Sequence, residues 1–121
     1  MTKKKRTFNA GVKLWIATSS RAGVFGEGRY RLLSCINTNG SLKKAAEKNG
    51  ISYRKAWGDI RKSESRIGRK LLIRECGGKG GGGSRLTPFA KDVLNAYELF
   101  KKDVTAYTEK QFNKRMSRVF K

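Results

Sequence analysis

The run Gly77-Gly78-Lys79-Gly80-Gly81-Gly82-Gly83-Ser84 is the first stretch whose residue types could do chemistry. Within it, Gly78, Gly80 and Gly83 meet the spacing GxGxxG, with which a dinucleotide fold lets bare backbone approach a pyrophosphate at a helix N-terminus. That use needs a strand before the run and a helix directly after it. Here Thr87-Pro88 delays the next helix, no βαβ unit surrounds the run, and abundant glycine satisfies the spacing by itself. A Walker loop is ruled out, because no Gly-Lys-Ser or Gly-Lys-Thr occurs. Two readings are left. One is a flexible linker. The other is the tip of a β-hairpin wing, with Lys79 and Arg85 meeting phosphate and bare backbone entering a minor groove. Position favours the wing, since the run joins two strand-like segments, Leu71-Leu72-Ile73-Arg74-Glu75 and Arg85-Leu86.

Catalysis by other routes lacks its residues. The chain has no histidine, which removes imidazole acid–base work, Ser-His-Asp triads and Cys/His zinc sites together. Cys35 and Cys76 are far apart and lack CxxC spacing, and Cys35 sits in an apolar helical context as a small core residue. No enzyme activity, metal or cofactor is expected.

The second chemically suggestive set is Ser52-Tyr53-Arg54-Lys55, continued at helical spacing by Gly58, Arg61 and Lys62. Arg and Lys on one helix face can pair with guanine edges or phosphates, and glycine lets backbone come close to a partner. Tyr53 and Trp57 fall on the apolar stripe of the same helix, so core packing is their first reading. A contact with sugar or a thymine methyl is the second. Composition points the same way. The 121 residues carry 29 Lys+Arg against 9 Asp+Glu, a formal net charge of +20. Such an excess repels itself in a compact fold unless a polyanion offsets it, and nucleic acid is the fitting polyanion. An anionic membrane fits less well, because the chain has no long apolar run and no basic amphipathic anchor. Lys3, Lys4, Lys5 and Arg6 are not followed by an apolar h-region, so a cytoplasmic, nucleoid-associated protein is expected.

The elements that must position these residues follow from periodicity and caps. Residues 1–12 read as a basic arm, residues 13–87 as the DNA-binding domain, and residues 88–121 as a long helix with a basic tail. Lys13 to Thr18 predicts a short strand, and Phe25-Gly26-Glu27-Gly28 a turn. A helix from Arg29 to about Asn37 would bury Leu32, Leu33 and Ile36, with Asn39-Gly40 closing it. Ser41 caps a second helix to about Asn49 with Ala45 and Ala46 inward, and Lys43 stands on its outer face. Gly50 supplies a left-handed turn, Ile51 plugs the gap between helices, and Ser52 caps the third helix, which Gly68 stops. Short helices joined by Gly50-Ile51-Ser52 form a helix-turn-helix, whose second helix enters the major groove N-terminus first. Thr87-Pro88 opens the long last helix, expected to reach about Val119. Ala90, Val93, Tyr97, Phe100, Val104 and Tyr107 recur along it at spacings of three and four, a seam for pairing with a second copy. Lys110, Lys114, Arg115, Arg118 and Lys121 form its tail.

Gly26-Glu27-Gly28-Arg29 with Leu32-Leu33, Gly40-Ser41, Ala45-Ala46 and Ser52-Tyr53-Arg54-Lys55-Ala56-Trp57 together resemble the N-terminal DNA-binding domain of the molybdate-responsive ModE regulators. Gly77-Gly78-Lys79 through Gly83, then Arg85-Leu86-Thr87-Pro88, fits the same family, over about Lys13 to Phe100. More distantly, the Leu-Thr-Pro junction into a long helix is similar to LysR-type regulators. The resemblance implies a winged helix-turn-helix homodimer on palindromic operators, with Ser52 to Lys55 in the major groove. ModE regulators sense oxyanion through C-terminal molybdate-binding modules. This sequence ends before such modules could begin, so molybdate regulation is not carried over, and no small-molecule effector is evident from the residues.

The expected fold is mainly α with a small β-hairpin wing: a winged helix-turn-helix with a long C-terminal dimerisation helix. The expected partners are double-stranded DNA and a second copy of the chain. Contacts to DNA are expected from Ser41, Lys43, Ser52, Tyr53, Arg54, Lys55, Gly58, Arg61, Lys62, Lys79 and Arg85. The alternative is an architectural DNA binder with little sequence preference, gripping mainly through its basic termini.

Overall fold

The computed structural model describes residues 6–75 and 83–120. The chain opens with strands β1 (Ile16–Ala17) and β2 (Gly23–Phe25), paired antiparallel with Ile16 opposite Phe25. Helix α1 (Glu27–Asn39) begins two residues before the expected start and takes in part of the expected turn. Its N-cap Gly26 makes no side-chain hydrogen bond, so the usual Ser/Thr/Asp/Asn signal is missing from the sequence. At the other end, Gly40 adopts φ 67° and its N–H bonds the Ile36 carbonyl, a left-handed stop that suits glycine.

Helices α2 (Leu42–Lys48) and α3 (Tyr53–Ile67) are both fixed at their starts by serine. The Ser41 hydroxyl accepts from the Lys44 N–H and the Ser52 hydroxyl from the Lys55 N–H, satisfying donors that the first helical turn leaves orphaned. Gly50, at φ 67°, makes the turn between them. Ala45, Ala46 and Ala56 are fully buried, so α2 and α3 cross closely, and Ile51 packs against the core between them.

The wing follows as β3 (Leu72–Arg74) and β4 (Ser84–Leu86), antiparallel, with Leu72 opposite Leu86, Ile73 opposite Arg85 and Arg74 opposite Ser84. Leu72 and Leu86 are buried, which sets the register: a slip of either strand by one residue would turn its leucine to solvent. Two hydrogen bonds tie the hairpin base together and to α1: Glu75 N–H to the Gly83 carbonyl, and Ser84 N–H to the Gly40 carbonyl, both 2.9 Å. The buried Glu64 carboxylate of α3 accepts from the Leu71 and Leu72 N–H groups at 2.8 and 3.3 Å, pinning the wing to the helix before it.

Helix α4 (Pro88–Arg115) starts from the Thr87 cap, whose hydroxyl accepts from the Ala90 N–H. It stops short of the expected Val119, and residues 116–120 continue as turns. One core joins Phe25, Leu32, Leu33, Ile36, Ile60 and Leu71 to Ala90, Leu94 and Tyr97, so the first turns of α4 complete the domain rather than leave it. Tyr97 packs its ring edge-on against Phe25 and tilted against Tyr30. Its hydroxyl donates to the Leu14 carbonyl at 2.8 Å.

Candidate nucleic-acid interface

The outward face of α3 is built by subtraction. Ala56, Ile60, Ser63 and Glu64 turn inward, which leaves Ser52, Tyr53, Arg54, Lys55, Gly58, Arg61 and Lys62 exposed along the first turns and beyond. A β-carbon added at Gly58 would meet nothing within 4 Å, so no internal packing demands a glycine there. Lys43 is exposed on α2, while Ser41 and Ser52 already use an acceptor lone pair as helix caps. A hydroxyl keeps its proton when it accepts, so both can still donate to a phosphate.

Charge on this face is partly paired. Lys55 Nζ lies 3.2 Å from the Asp59 carboxylate, one turn on, and Arg29 of α1 reaches the same carboxylate at 3.6 Å. Arg85 Nε on the wing lies 3.0 Å from Glu75, with both side chains exposed. An exposed pair such as Arg85–Glu75 holds by at most about 1 kcal/mol, whereas the Asp59 carboxylate is only 17% exposed and is held from two sides. Arg54, Arg61 and Lys62 have no ion-pair partner among the described residues. Lys79 lies outside the described residues.

Trp57 is half-buried and packs against the core with part of its surface, while its ring face is turned to two arginines. The guanidinium of Arg61 lies 5.5 Å from the ring centroid and that of Arg74 4.8 Å from it. Arg74 also donates to the Tyr53 hydroxyl at 2.6 Å. The result is a shallow cleft of about 420 Å³ between α3 and the wing, lined by Tyr53, Arg54, Trp57, Gly58, Arg61 and Arg74. Tyr53 sits on the apolar stripe in sequence, yet its ring stands exposed at the cleft rim because the core ends at Ala56. Arg74 is the residue that sequence reasoning missed. Its signal was the period of two from the buried Leu72, which sets Arg74 on the strand face turned toward α3.

Residues 28–91 match the family described as bacterial regulatory helix-turn-helix protein, lysR family. The chain belongs to that family. This lysR-family domain is also 39% identical over 74 residues to the transcriptional regulator ModE of Haemophilus influenzae, covering 61% of this chain and 29% of that one. The DNA-binding transcriptional dual regulator ModE of Escherichia coli K12 is 38% identical over 71 residues, 59% of this chain and 27% of its own. The molybdenum-pterin-binding protein MopB of Rhodobacter capsulatus is 35% identical over 72 residues, 60% and 27% of the two chains. The shared part is thus under a third of each relative, and it corresponds to the N-terminal helix-turn-helix region of ModE. In the lysR-family domain described here, α2 and α3 are the helix-turn-helix and β3 and β4 the wing, and the family is one of transcriptional regulators. Among the described residues no helix is long and apolar enough to cross a membrane.

The expected pairing seam divides in two. Ala90 and Tyr97 are 0% and 2% exposed in the domain's own core, whereas Phe100 and Tyr107 are 49% and 64% exposed. Ala90 and Tyr97 therefore leave the pairing face, because the domain's own core already covers them, Tyr97 beneath Phe25 and Tyr30. Val93 packs against the core and Val104 is half-buried. Across the boundary between the two parts, the Glu27 carboxylate of α1 accepts from Lys101 and, at 3.3 Å, shares the single Tyr97 hydroxyl proton of α4 with the nearer Leu14 carbonyl. The Lys101 hydrogen bond holds the Glu27 carboxyl below its ordinary value of 4.5 and raises Lys101 in turn, while burial pushes the Tyr97 phenol up. This bolt joins α1 to α4 one turn beyond the last core residue, Tyr97.

Proposed function

We propose that the chain is a sequence-specific transcriptional regulator that binds paired DNA half-sites as a homodimer, α3 in the major groove and the wing on the flanking backbone. The cleft at Trp57 carries this reading. Arg61 and Arg74 arrive from different elements at one aromatic face, which holds planar, bidentate donors where base edges and phosphates would pass. Arg54 reads bases from the first turn of α3, beside Ser52, Tyr53 and Lys55, and Lys43, Ser41 and Arg85 take phosphates. Lys79, from the glycine-rich stretch, adds a further phosphate contact. Pairing uses the exposed stripe of α4 beyond Tyr97, namely Leu99, Phe100, Ala106 and Tyr107, whose seven-residue spacings suit a second helix. What the relatives' names say of molybdenum is not carried over, since the shared part is the helix-turn-helix.

A gel-shift series in rising salt, with selected and scrambled duplexes, tests the reading. The selected duplex should bind more tightly throughout, and Arg54→Ala should narrow the gap. Equal affinity for both duplexes at every salt concentration would favour the architectural reading instead. Sedimentation of Phe100→Asp checks the pairing stripe, with a monomer expected.

A further inference from the structure

The basic N-terminal arm and the basic C-terminal turns lie at opposite ends of the sequence, yet the fold joins them. The Phe8 ring lies 5.2 Å from the Phe120 ring, which stacks in turn on Phe112 of α4 at 6.4 Å and 16°. The chain reverses after Arg115 through hydrogen bonds from Met116 and Ser117 to the Phe112 carbonyl and from Val119 and Phe120 to the Met116 carbonyl. That reversal brings Phe120 back over Phe112. The arm is tied at its other end by the Tyr97 bond to Leu14. Between Leu14 and Phe8 the backbone can extend by at most about 20 Å, and α4 rises about 22 Å from Tyr97 to Phe112. The arm therefore passes from beside Tyr97 to the far end of α4, where the three phenylalanines close a clasp about 22 Å along the helix from Tyr97.

The clasp concentrates charge of one sign. Arg6 and Lys13 lie on the arm, and Lys110, Lys114, Arg115 and Arg118 on the helix end and the turns, all exposed. Neither segment 6–14 nor segment 110–120 contains an acid, and none of these cations is ion-paired among the described residues. Lys114 and Arg115 gain something from the carbonyl end of the α4 dipole, but Arg6, on a separate segment, gains nothing from it. Drawing an arm of like charge onto such a tail costs free energy in the isolated protein, and a polyanion removes that cost.

We propose that Phe8, Phe112 and Phe120 assemble the arm and tail into one phosphate-binding surface that grips DNA backbone outside the segment contacted by α3. This rests on the DNA-binding reading above. The clasp shares no residue with the cleft at Trp57 and stands about 22 Å along α4 from Tyr97. Its phosphates therefore belong either to the flanks of the same duplex or to a second duplex.

The test exploits a substitution that removes no charge. The salt dependence of binding is measured for the full chain and for Phe8→Ala, on a duplex trimmed to the half-sites and on one extended by several helical turns. Each phosphate contact adds about 0.9 to the slope of log K against log salt. Phe8→Ala should lower that slope by about one to two. If the flanks supply the phosphates, the loss appears on the extended duplex and not on the trimmed one. If a second duplex supplies them, a labelled non-specific duplex is captured alongside the first, and Phe8→Ala abolishes the capture. Arg6→Ala and Arg118→Ala, which leave the rings in place, should each lower the slope by about one. In a Phe8→Ala background Arg118→Ala should add less than it does alone. An unchanged slope and unchanged capture in Phe8→Ala, with half-site binding intact, overturns the clasp alone. Absence of binding to every duplex by the unaltered chain overturns the DNA-binding reading as well.

Discussion

Replacing Gly58 with alanine should move stability and DNA binding in opposite directions. Gly58 lies inside α3, exposed, and a β-carbon there has no neighbour within 4 Å. Nothing in the folded chain resists the extra methyl, so the helix gains the usual difference between alanine and glycine, about 0.5–1 kcal/mol. For a domain of this size that corresponds to a rise in Tm of roughly 2–6 °C. The same methyl stands one turn from both Arg54 and Arg61, in the middle of the face assigned to the major groove. If bare backbone is what approaches the base edges, the methyl pushes the helix outward. The loss should then resemble that of one mismatched base pair, about 1–3 kcal/mol, or roughly 5- to 150-fold in affinity. Thermal unfolding and fluorescence anisotropy on one preparation measure both quantities. A raised Tm with unchanged affinity would refute the close approach. A lowered Tm would refute the packing argument.

Further expectations follow from the anchors of the wing and of α4. Glu64→Ala strands the Leu71 and Leu72 N–H groups in a buried setting and should cost about 2–4 kcal/mol by urea unfolding, while Glu64→Gln, which keeps an acceptor, should cost less than half of that. Equal losses would mean that the carboxylate acts by charge rather than as an acceptor. Because Lys101 lowers the Glu27 pKa in the folded state, this pair's contribution is present above the ordinary value of 4.5 and is lost as pH falls through the lower folded value. Glu27→Gln should therefore flatten the fall of Tm on the acid side of pH 4.5, and an unchanged acid limb would count against the bolt. Arg74→Lys keeps the charge but loses the planar group over Trp57. It should leave the salt slope of DNA binding unaltered while reducing discrimination between selected and scrambled duplexes several-fold, whereas Arg74→Ala should reduce both. If Arg74→Lys discriminates as well as the original, Arg74 is only a phosphate contact.

What could be read from the sequence was mostly what the backbone decides locally. Ser41, Ser52 and Thr87 each accept the N–H bond expected of a cap, and Gly40 and Gly50 take the left-handed conformation expected of a stop. These are exchanges within a few residues, so residue type alone reveals them. The start of α1 was misplaced because Gly26 caps by conformation and leaves no side-chain mark. Two positions of the α4 seam, Ala90 and Tyr97, differ from the expectation for another reason. A repeat of three and four says that a helix has an apolar face, but not whether its own domain or a second copy covers that face, and Ala90 and Tyr97 belong to the former. Arg74 and the Phe8 clasp escaped notice because both depend on contacts between segments distant in sequence.

The two hydrogen bonds at the base of the wing have an implication for how this domain can diversify. With Glu75 joined to Gly83 and Ser84 joined to the α1 stop at Gly40, the hairpin's footings are set by residues outside the stretch 76–82. The constraint on change therefore falls on the footings themselves: Gly40 ends α1 through its N–H and holds Ser84 of β4 through its carbonyl, so an alteration there is felt by the helix and the hairpin together.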